Sequence, residues 1–392
     1  MVKADIQDLQ EAIRKVGLDG WLFSNFHHRD PLSDSLLGLS ADAINTRQWV
    51  YILPAIGDPK KIVHTIENEI LDSLPGEKQI YSSRQELKDI LIPFQGLSLA
   101  AQYSETLLPM SFLDYGTASF LSSLGISLNS SDPLIQIAAG TLDKEGISSH
   151  EKAAHQLYDI VNLVWSRLNT VYHKKESIRE GEIQRWILDE FENRGMETDH
   201  PPIVAAGAHS GNPHYIPETD KGEYVKKGEV LQLDLWAKYK GNNNIFADIS
   251  WVGVYDTTAP ENVVEVFSHI AEARDHAVEY IASRFMTGQP VSGFEVDKKV
   301  RNLLISYNYG PYLKHRTGHG IDTEVHGMGV GLDSVEFPDH RYIREGSCFS
   351  IEPGVYMPQF GLRTEIDVYI NQGIPVVSGG NRQKHLLFIS PT

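Results

Sequence analysis

The chain has 392 residues, too long for one average domain, and 41% of them are apolar, enough to bury a large core and exclude global disorder. Its 52 acidic against 35 basic residues give a formal charge of −17, which opposes phosphate backbones and argues against a nucleic-acid partner. The single cysteine, Cys348, excludes an internal disulfide and a cysteine-based metal or redox site, and no run of about 18 apolar residues that would span a membrane occurs.

The first residues, MVKADIQDLQEAIRK, lack an apolar core and read as an amphipathic helix rather than a signal peptide, which places the chain in the cytoplasm. Up to about residue 145, short apolar strands alternate with turns: GWLFSNF, WVYILPAIG, KIVHTIE, LSLAAQY and then a weaker segment, SFLDYGTASFLSSLG. This predicts a small α/β domain over 1–145, ended by the polar stretch AAGTLDKEGISS, and a second domain over 146–392. Ser148 and Glu151 form an S-x-x-E capping box at the head of a long helix, EKAAHQLYDIVNLVWSRLN. A second box, Ser177 with Glu180, precedes EIQRWILDEFENRG, where Ile183, Trp186, Ile187 and Phe191 share one helical face and Gly195 closes the end. Strand-like segments follow, ending in the pair VLQLDLWA and NIFADISWVGVY around the turn KYKGNNN.

The same order then recurs. A long helix runs from about Pro260 to Phe285, a shorter one covers FEVDKKVRNLLISYN, and strand-like segments end in the pair SCFSIEPGVYM and LRTEIDVYI around PQFG. Each half therefore reads helix, helix, hairpin, an internal repeat of one supersecondary unit. Each hairpin carries acids in matching places: Asp234 and Asp248 in the first, Glu352 and Glu365 in the second. Folding each hairpin brings its two carboxylates together, and facing the hairpins across a pseudo-twofold collects all four.

Carboxylates inside segments as apolar as LQLDLW and CFSIEPGVY cost several kcal/mol unless protonated or paired with cations. Arg363 is the one basic residue interleaved with them, too little for four acids. Two divalent ions neutralise four carboxylates, and such ions about 3.5–4 Å apart share a water, lower its pKa and stabilise a developing oxyanion. The segment KHRTGHGIDTEVHG adds His315, His319 and His326, with Gly318 and Gly320 flanking His319 so that the backbone there can approach a ligand. It is too glycine-rich for a stable helix and reads as a strand or loop. Oxygen-rich ligation with one imidazole suits manganese, cobalt or iron at least as well as zinc.

The segments LQLDLW, ADIS, HRTGHG…VH, SIEPGVY and GLRTE, in that order over about residues 150–380, resemble the proline-peptidase branch of the pita-bread metallopeptidases, which includes aminopeptidase P and prolidase. The resemblance implies a C-terminal pita-bread fold of α/β (α+β) class with pseudo-twofold helix-helix-hairpin repeats, behind a smaller N-terminal α/β domain of the creatinase/prolidase type. It also implies a homodimer and two divalent metal ions, manganese foremost. Asp234 would bind one ion, Asp248 and Glu365 would bridge both, and His319 with Glu352 would complete the other. His214, in GNPHYIP, matches the family's pocket histidine, and His326 the one that contacts the scissile region and steadies the tetrahedral intermediate. His315 matches the one that helps form the proline pocket, and Arg363 the arginine two residues before the last glutamate. The implied reaction is hydrolysis of an Xaa-Pro bond in a peptide substrate by a metal-bridging hydroxide, with Glu352 moving the proton and His315 and Arg363 on the substrate.

Three departures bear on substrate preference more than on metal binding. Asp322 and Gly327 replace the second-to-last Gly and the Glu of the usual GHGIG…HE; GNNN lengthens the Asp234 hairpin; and Ile-Ser-Trp follows Asp248 where an Arg often follows within three residues. Arg341 and Arg344, in HRYIREG, are candidates to clamp a product-side carboxylate, against a solvated loop as the alternative. The glycine run GMGVG at 327–331 reads as a loop bordering the pocket rather than a nucleotide site. Alternative activities on the same scaffold are a methionine-aminopeptidase-like enzyme, a creatine-type amidinohydrolase and an inert peptide- or histone-binding module. The complete ligand set disfavours the last two.

Overall fold

The structure, a computed structural model, describes residues 5–390, which divide into compact units at Ala139/Gly140. In the first unit, helix α1 (Ile6–Val16) starts on Asp5, whose carboxylate accepts from Gln7 N at 2.8 Å, and ends on left-handed Gly17. Strand β1 (Gly20–Asn25) and helix α2 (Pro31–Leu37) precede strands β2 (Trp49–Pro54), β3 (Lys60–His64) and β4 (Glu77–Tyr81). Helix α3 (Arg84–Leu91), strand β5 (Ser98–Ala101), helix α4 (Tyr115–Ser123), strand β6 (Ser127–Ser130) and helix α5 (Asp132–Ala138) complete the unit. The strands form one mixed sheet in the order β4-β3-β2-β1-β5-β6. The weak segment 111–125 is not a strand: Asp114 caps its first turn by accepting from Thr117 N at 3.0 Å, and residues 115–123 coil into α4.

The second unit opens with helix α6 (Lys144–Lys174), followed by α7 (Glu180–Asn193). Neither predicted capping box forms. Asp143 caps α6 instead, accepting from Gly146 N at 2.7 Å, and Ser148 and Glu151 lie inside the helix, where Glu151 accepts from Gly379 N. At α7 the box lies two residues later, with Glu182 accepting from Arg179 N at 2.9 Å. Glu180 is buried elsewhere, its carboxylate accepting from Ala206 N, His209 Nδ1, Tyr215 OH and Glu223 N.

Strands β7 (Met196–Glu197), β8 (Ile203–Ala206), β9 (Val230–Tyr239) and β10 (Ala247–Val254) come next, then helices α8 (Glu261–Met286) and α9 (Gly293–Ser306). The remaining strands are β11 (Cys348–Ile351), β12 (Gly354–Tyr356), β13 (Gly361–Arg363), β14 (Ile366–Asn371), β15 (Ile374–Val377) and β16 (Leu387–Phe388). Ser292 and Glu295 make a reciprocal capping box at α9.

Strand alternation sorts each hairpin into two faces. On β9 and β10, Leu231, Leu233, Leu235, Ile249 and Trp251 pack in a core with Leu157, Val161, Val164, Ile183 and Ile187 of α6 and α7. The intervening Gln232, Asp234, Asp248 and Ser250 face away from those helices, because Asp234 pairs with Ser250 and Asp248 with Trp236 in the ladder. In the second half, Phe349, Ile351, Val355, Leu362, Ile366 and Val368 pack with Phe267, Ile270, Val296 and Val300 of α8 and α9. Ser350, Glu352, Arg363, Glu365 and Asp367 fall on the opposite parity. Each half thus has its own helix-backed core, and the polar faces are left to each other.

Candidate metal centre

The second hairpin is broken where its acids sit. β11 pairs with β14 up to Ile351 and Ile366, and β12 pairs with β13 from Gly354 and Arg363, in one continuing register that sets Glu352 opposite Glu365. At the break the backbone bonds outward: Glu352 N donates to Thr317 O at 2.7 Å and Glu365 N to Ser250 O at 3.0 Å. Those bonds tie the second hairpin to the His319 loop and to β10.

Around this break Asp248, His319 and Glu365 each offer a ligand atom, all within 4.8 Å of one another, and all three are buried. His319 Nε2 lies 3.6 Å from Asp248 Oδ2 and 3.5 Å from Glu352 Oε1. Its Nδ1 lies 3.2 Å from Gly320 O, and a carbonyl accepts only, so Nδ1 carries the proton and Nε2 presents its lone pair to the carboxylates. Asp234 is held differently. Ser250 Oγ donates to its Oδ1 at 2.6 Å, and Arg363 Nη2 donates to its Oδ2. Arg363 is buried and also donates to Ser250 Oγ at 2.9 Å and to Tyr356 OH at 3.0 Å. Tyr356 in turn meets His315 Nε2 at 2.7 Å, and His315 stands 3.9 Å from Glu352 Oε2.

Without cations, Asp248, Glu352 and Glu365 hold their protons more tightly than ordinary carboxylates. Burial, then the charges of Asp234 and Asp367, push Asp248 well above the carboxylate range, and burial with Asp248 and Glu352 does the same to Glu365. Glu352 is pushed up to about 7 by burial, against the pull of Arg363. Burial holds His319 well below its ordinary value, so its imidazole is neutral. Asp248 Oδ1 is buried with no hydrogen-bond partner. A bare carboxylate oxygen, buried acids crowded by one another and a neutral imidazole with its lone pair turned inward fit divalent cations.

This has a measurable consequence for the metal-free protein. The Glu352 carboxyl binds its proton more tightly folded, at about 7, than unfolded, at 4.5. The stabilisation is fully present below 4.5 and is lost as pH rises through 7, on the order of 3 kcal/mol. Melting of chelator-treated protein is expected to fall in temperature over that window, and less so in Glu352→Gln. Equal slopes for the two proteins would contradict the assignment.

The other predicted residues sit around this core. His326 is exposed, but its ring stands edge-on to that of His319, centroids 4.4 Å apart. His214 is exposed on the turn after 207–211. Burial and Arg363 lower His315 to about 3, so it is a neutral ring between Tyr356 and Arg316 O. Arg341 is not poised as a clamp: its guanidinium is paired with Asp339 and donates to Met328 O and Gly329 O. Gly318 and Gly320 make room for protein rather than ligand, since a Cβ at Gly318 would stand 2.0 Å from Ser350 O and one at Gly320 2.7 Å from Gly329 O.

Two residues of the site are not among the predicted ligands, although Ser250 lies within the segment ADIS. Asp367 accepts from Asp248 N at 2.7 Å, and its buried Oδ1 is bare like that of Asp248. Ser250 bridges Asp234 and Arg363. Each lies two positions beyond a predicted ligand, on the same strand face, so the signal was the alternation itself.

The chain has a C-terminal pita-bread unit and an N-terminal α/β unit, and the former carries a buried cluster of donors that fits divalent cations. Residues 150–372 match metallopeptidase family M24, and the chain belongs to that family. An Xaa-Pro dipeptidase of Pyrococcus horikoshii is 30% identical over 204 residues, 50% of this chain and 53% of that protein. The chain thus spans about half the length of the curated relatives it matches. The crystal structure of prolidase from Thermococcus sibiricus superposes with a TM-score of 0.63 at 26% identity, covering 97% of both chains. Dipeptidase PepE from Mycobacterium ulcerans gives 0.72 at 18% identity over 98% of this chain and 96% of that one, a likeness of fold. Among the described residues no helix is long and apolar enough to cross a membrane.

Proposed function

We propose that the chain is a dinuclear-metal exopeptidase that hydrolyses Xaa-Pro bonds in short peptides, as an Xaa-Pro dipeptidase or Xaa-Pro aminopeptidase. The observation that carries this is the convergence of Asp248, His319 and Glu365, one acid from each hairpin and one imidazole, within 4.8 Å. The prolidase and Xaa-Pro dipeptidases it resembles supply the substrate class. Asp234, Asp248, His319, Glu352 and Glu365 are the residues that would hold the ions, with manganese favoured by the oxygen-rich set. When bound there, divalent ions would supply activation of a water and polarisation of a scissile carbonyl.

The chain's own residues do the rest. Glu352, at the strand break opposite Glu365, takes a proton from the attacking water and returns it to the leaving nitrogen. A peptide proline nitrogen is tertiary, so it must be protonated to leave. His326, off the ligand set but against His319, donates to the oxyanion as it forms. His214 borders the pocket, and His315 with Arg363 shape the proline side, their positions fixed through Tyr356. We carry over from the resemblance a homodimer in the cytoplasm, where Cys348 stays a buried thiol.

The test is a rate comparison of Ala-Pro, Ala-Pro-Ala and Met-Ala-Ser with added Mn²⁺. Cleavage of either proline peptide at least about tenfold faster than Met-Ala-Ser is expected, and which one is faster separates dipeptidase from aminopeptidase. Preference for Met-Ala-Ser would move the chain to the methionine-aminopeptidase alternative.

A further inference from the structure

The loop carrying His326 contains both positions at which the GHGIG…HE pattern is altered, and the two meet in space. Asp322 is buried, with Oδ1 accepting from Glu324 N at 2.8 Å and Oδ2 from Met328 N at 2.7 Å. Gly327 N donates to Gly320 O at 2.7 Å and closes the loop at its base. From outside, Phe246 N holds Asp322 O at 3.0 Å and Lys238 Nζ holds Thr323 O at 2.7 Å. The Asp322 carboxylate therefore fills the inside of the loop. A Cβ at Gly327 would stand 2.6 Å from Asp322 Cγ and Oδ2 and 2.8 Å from Asp322 N. Side chains at 322 and 327 compete for one space.

We infer that Asp322 is a positioning residue for His326, and that Asp322 and Gly327 are an exchanged pair. Here the carboxylate enters the loop from 322, and the space it takes leaves no room for a side chain at 327. By accepting the amides on either side of His326, Asp322 fixes where the imidazole stands against His319. The inference rests on His326 acting in the reaction proposed above.

Four variants test it: Asp322→Gly, Asp322→Asn, Gly327→Glu and the double Asp322→Gly/Gly327→Glu. Each is compared for Ala-Pro hydrolysis with Mn²⁺, for bound metal and for hydrogen exchange at the Glu324 and Met328 amides. Asp322→Gly is expected to lower kcat about tenfold with KM within about twofold and metal content unchanged, and to unprotect both amides. Asp322→Asn, keeping one acceptor oxygen, falls between it and wild type. Gly327→Glu alone is expected to be the poorest, and the double variant to return within about threefold of wild-type kcat. Wild-type kcat and exchange in Asp322→Gly, or a double variant no better than the poorer single, would overturn the pairing. If wild type does not cleave Ala-Pro, the substrate assignment fails and exchange alone decides: protection lost in Asp322→Gly and regained in the double supports the pair, and unchanged protection overturns it.

Discussion

Glu365→Ala is expected to bind no more than one divalent ion weakly and to lose on the order of 10³-fold or more in kcat/KM, several kcal/mol of transition-state charge stabilisation. Glu365 is 2% exposed and offers a carboxylate oxygen beside Asp248 and His319. Its backbone N–H is bonded to Ser250 O, so truncating the side chain leaves the strand break and its tie to β10 in place. The variant should fold. In the absence of metal it should even melt higher than wild type above neutral pH, because one acid is removed from a set in which Asp248 and Glu352 already push Glu365 well above the carboxylate range. That pairing of lost metal with raised metal-free stability separates a ligand from a structural carboxylate, whose loss would lower both. Metal analysis, kinetics and melting in chelator read the three quantities.

His326→Ala is expected to behave in the opposite way. Its ring faces His319 edge-on at 4.4 Å but is exposed and lies outside the group of atoms that converge for a cation. Bound metal should be unchanged and KM should move by no more than a few fold. Removing one donor to a developing oxyanion should lower kcat by about 10²–10³. Steady-state kinetics with metal content measured on the same sample checks this. Near-normal kcat would take His326 out of the reaction, and lost metal would make it a ligand.

Much of this site is legible in the sequence because strands have a period of two. A repeat of helix, helix and hairpin, with an acid at matching places, already implies that Asp234, Asp248, Glu352 and Glu365 share a space. The ladder that sets Asp248 beside Trp236 and the register that sets Glu352 opposite Glu365 are the physical form of that repeat. The same parity leads on to Ser250 and Asp367, which a search for ligand motifs passes over. The charge count was legible only in part, since Arg363 proves to be paired with Asp234 inside the cluster.

What local pattern misplaced was decided by tertiary packing. Ser148 and Glu151 have the spacing of a cap, yet Asp143 lies five residues earlier and captures the helix start. Glu180 has the same spacing from Ser177, but its carboxylate is drawn into a buried site that braces the loop before His214. The glycines beside His319 read as space for a ligand and in fact admit Ser350 and Gly329 backbone. Arg341 reads as a candidate clamp or a solvated loop residue, and its guanidinium is engaged by Asp339 and the 328–329 carbonyls. Gly327 alone reads as a lost glutamate; beside Asp322 it is half of an exchange.

The central claim is that the two hairpins and His319 hold a pair of divalent ions. Equilibrium dialysis of the purified chain against Mn²⁺ at about pH 8, where Glu352 is past its value of about 7, counts them directly. Two ions per wild-type chain, falling to one or none in Glu365→Ala, is the predicted result. A wild-type chain that takes up no divalent ion, or a Glu365→Ala chain that binds as many as wild type, would contradict it.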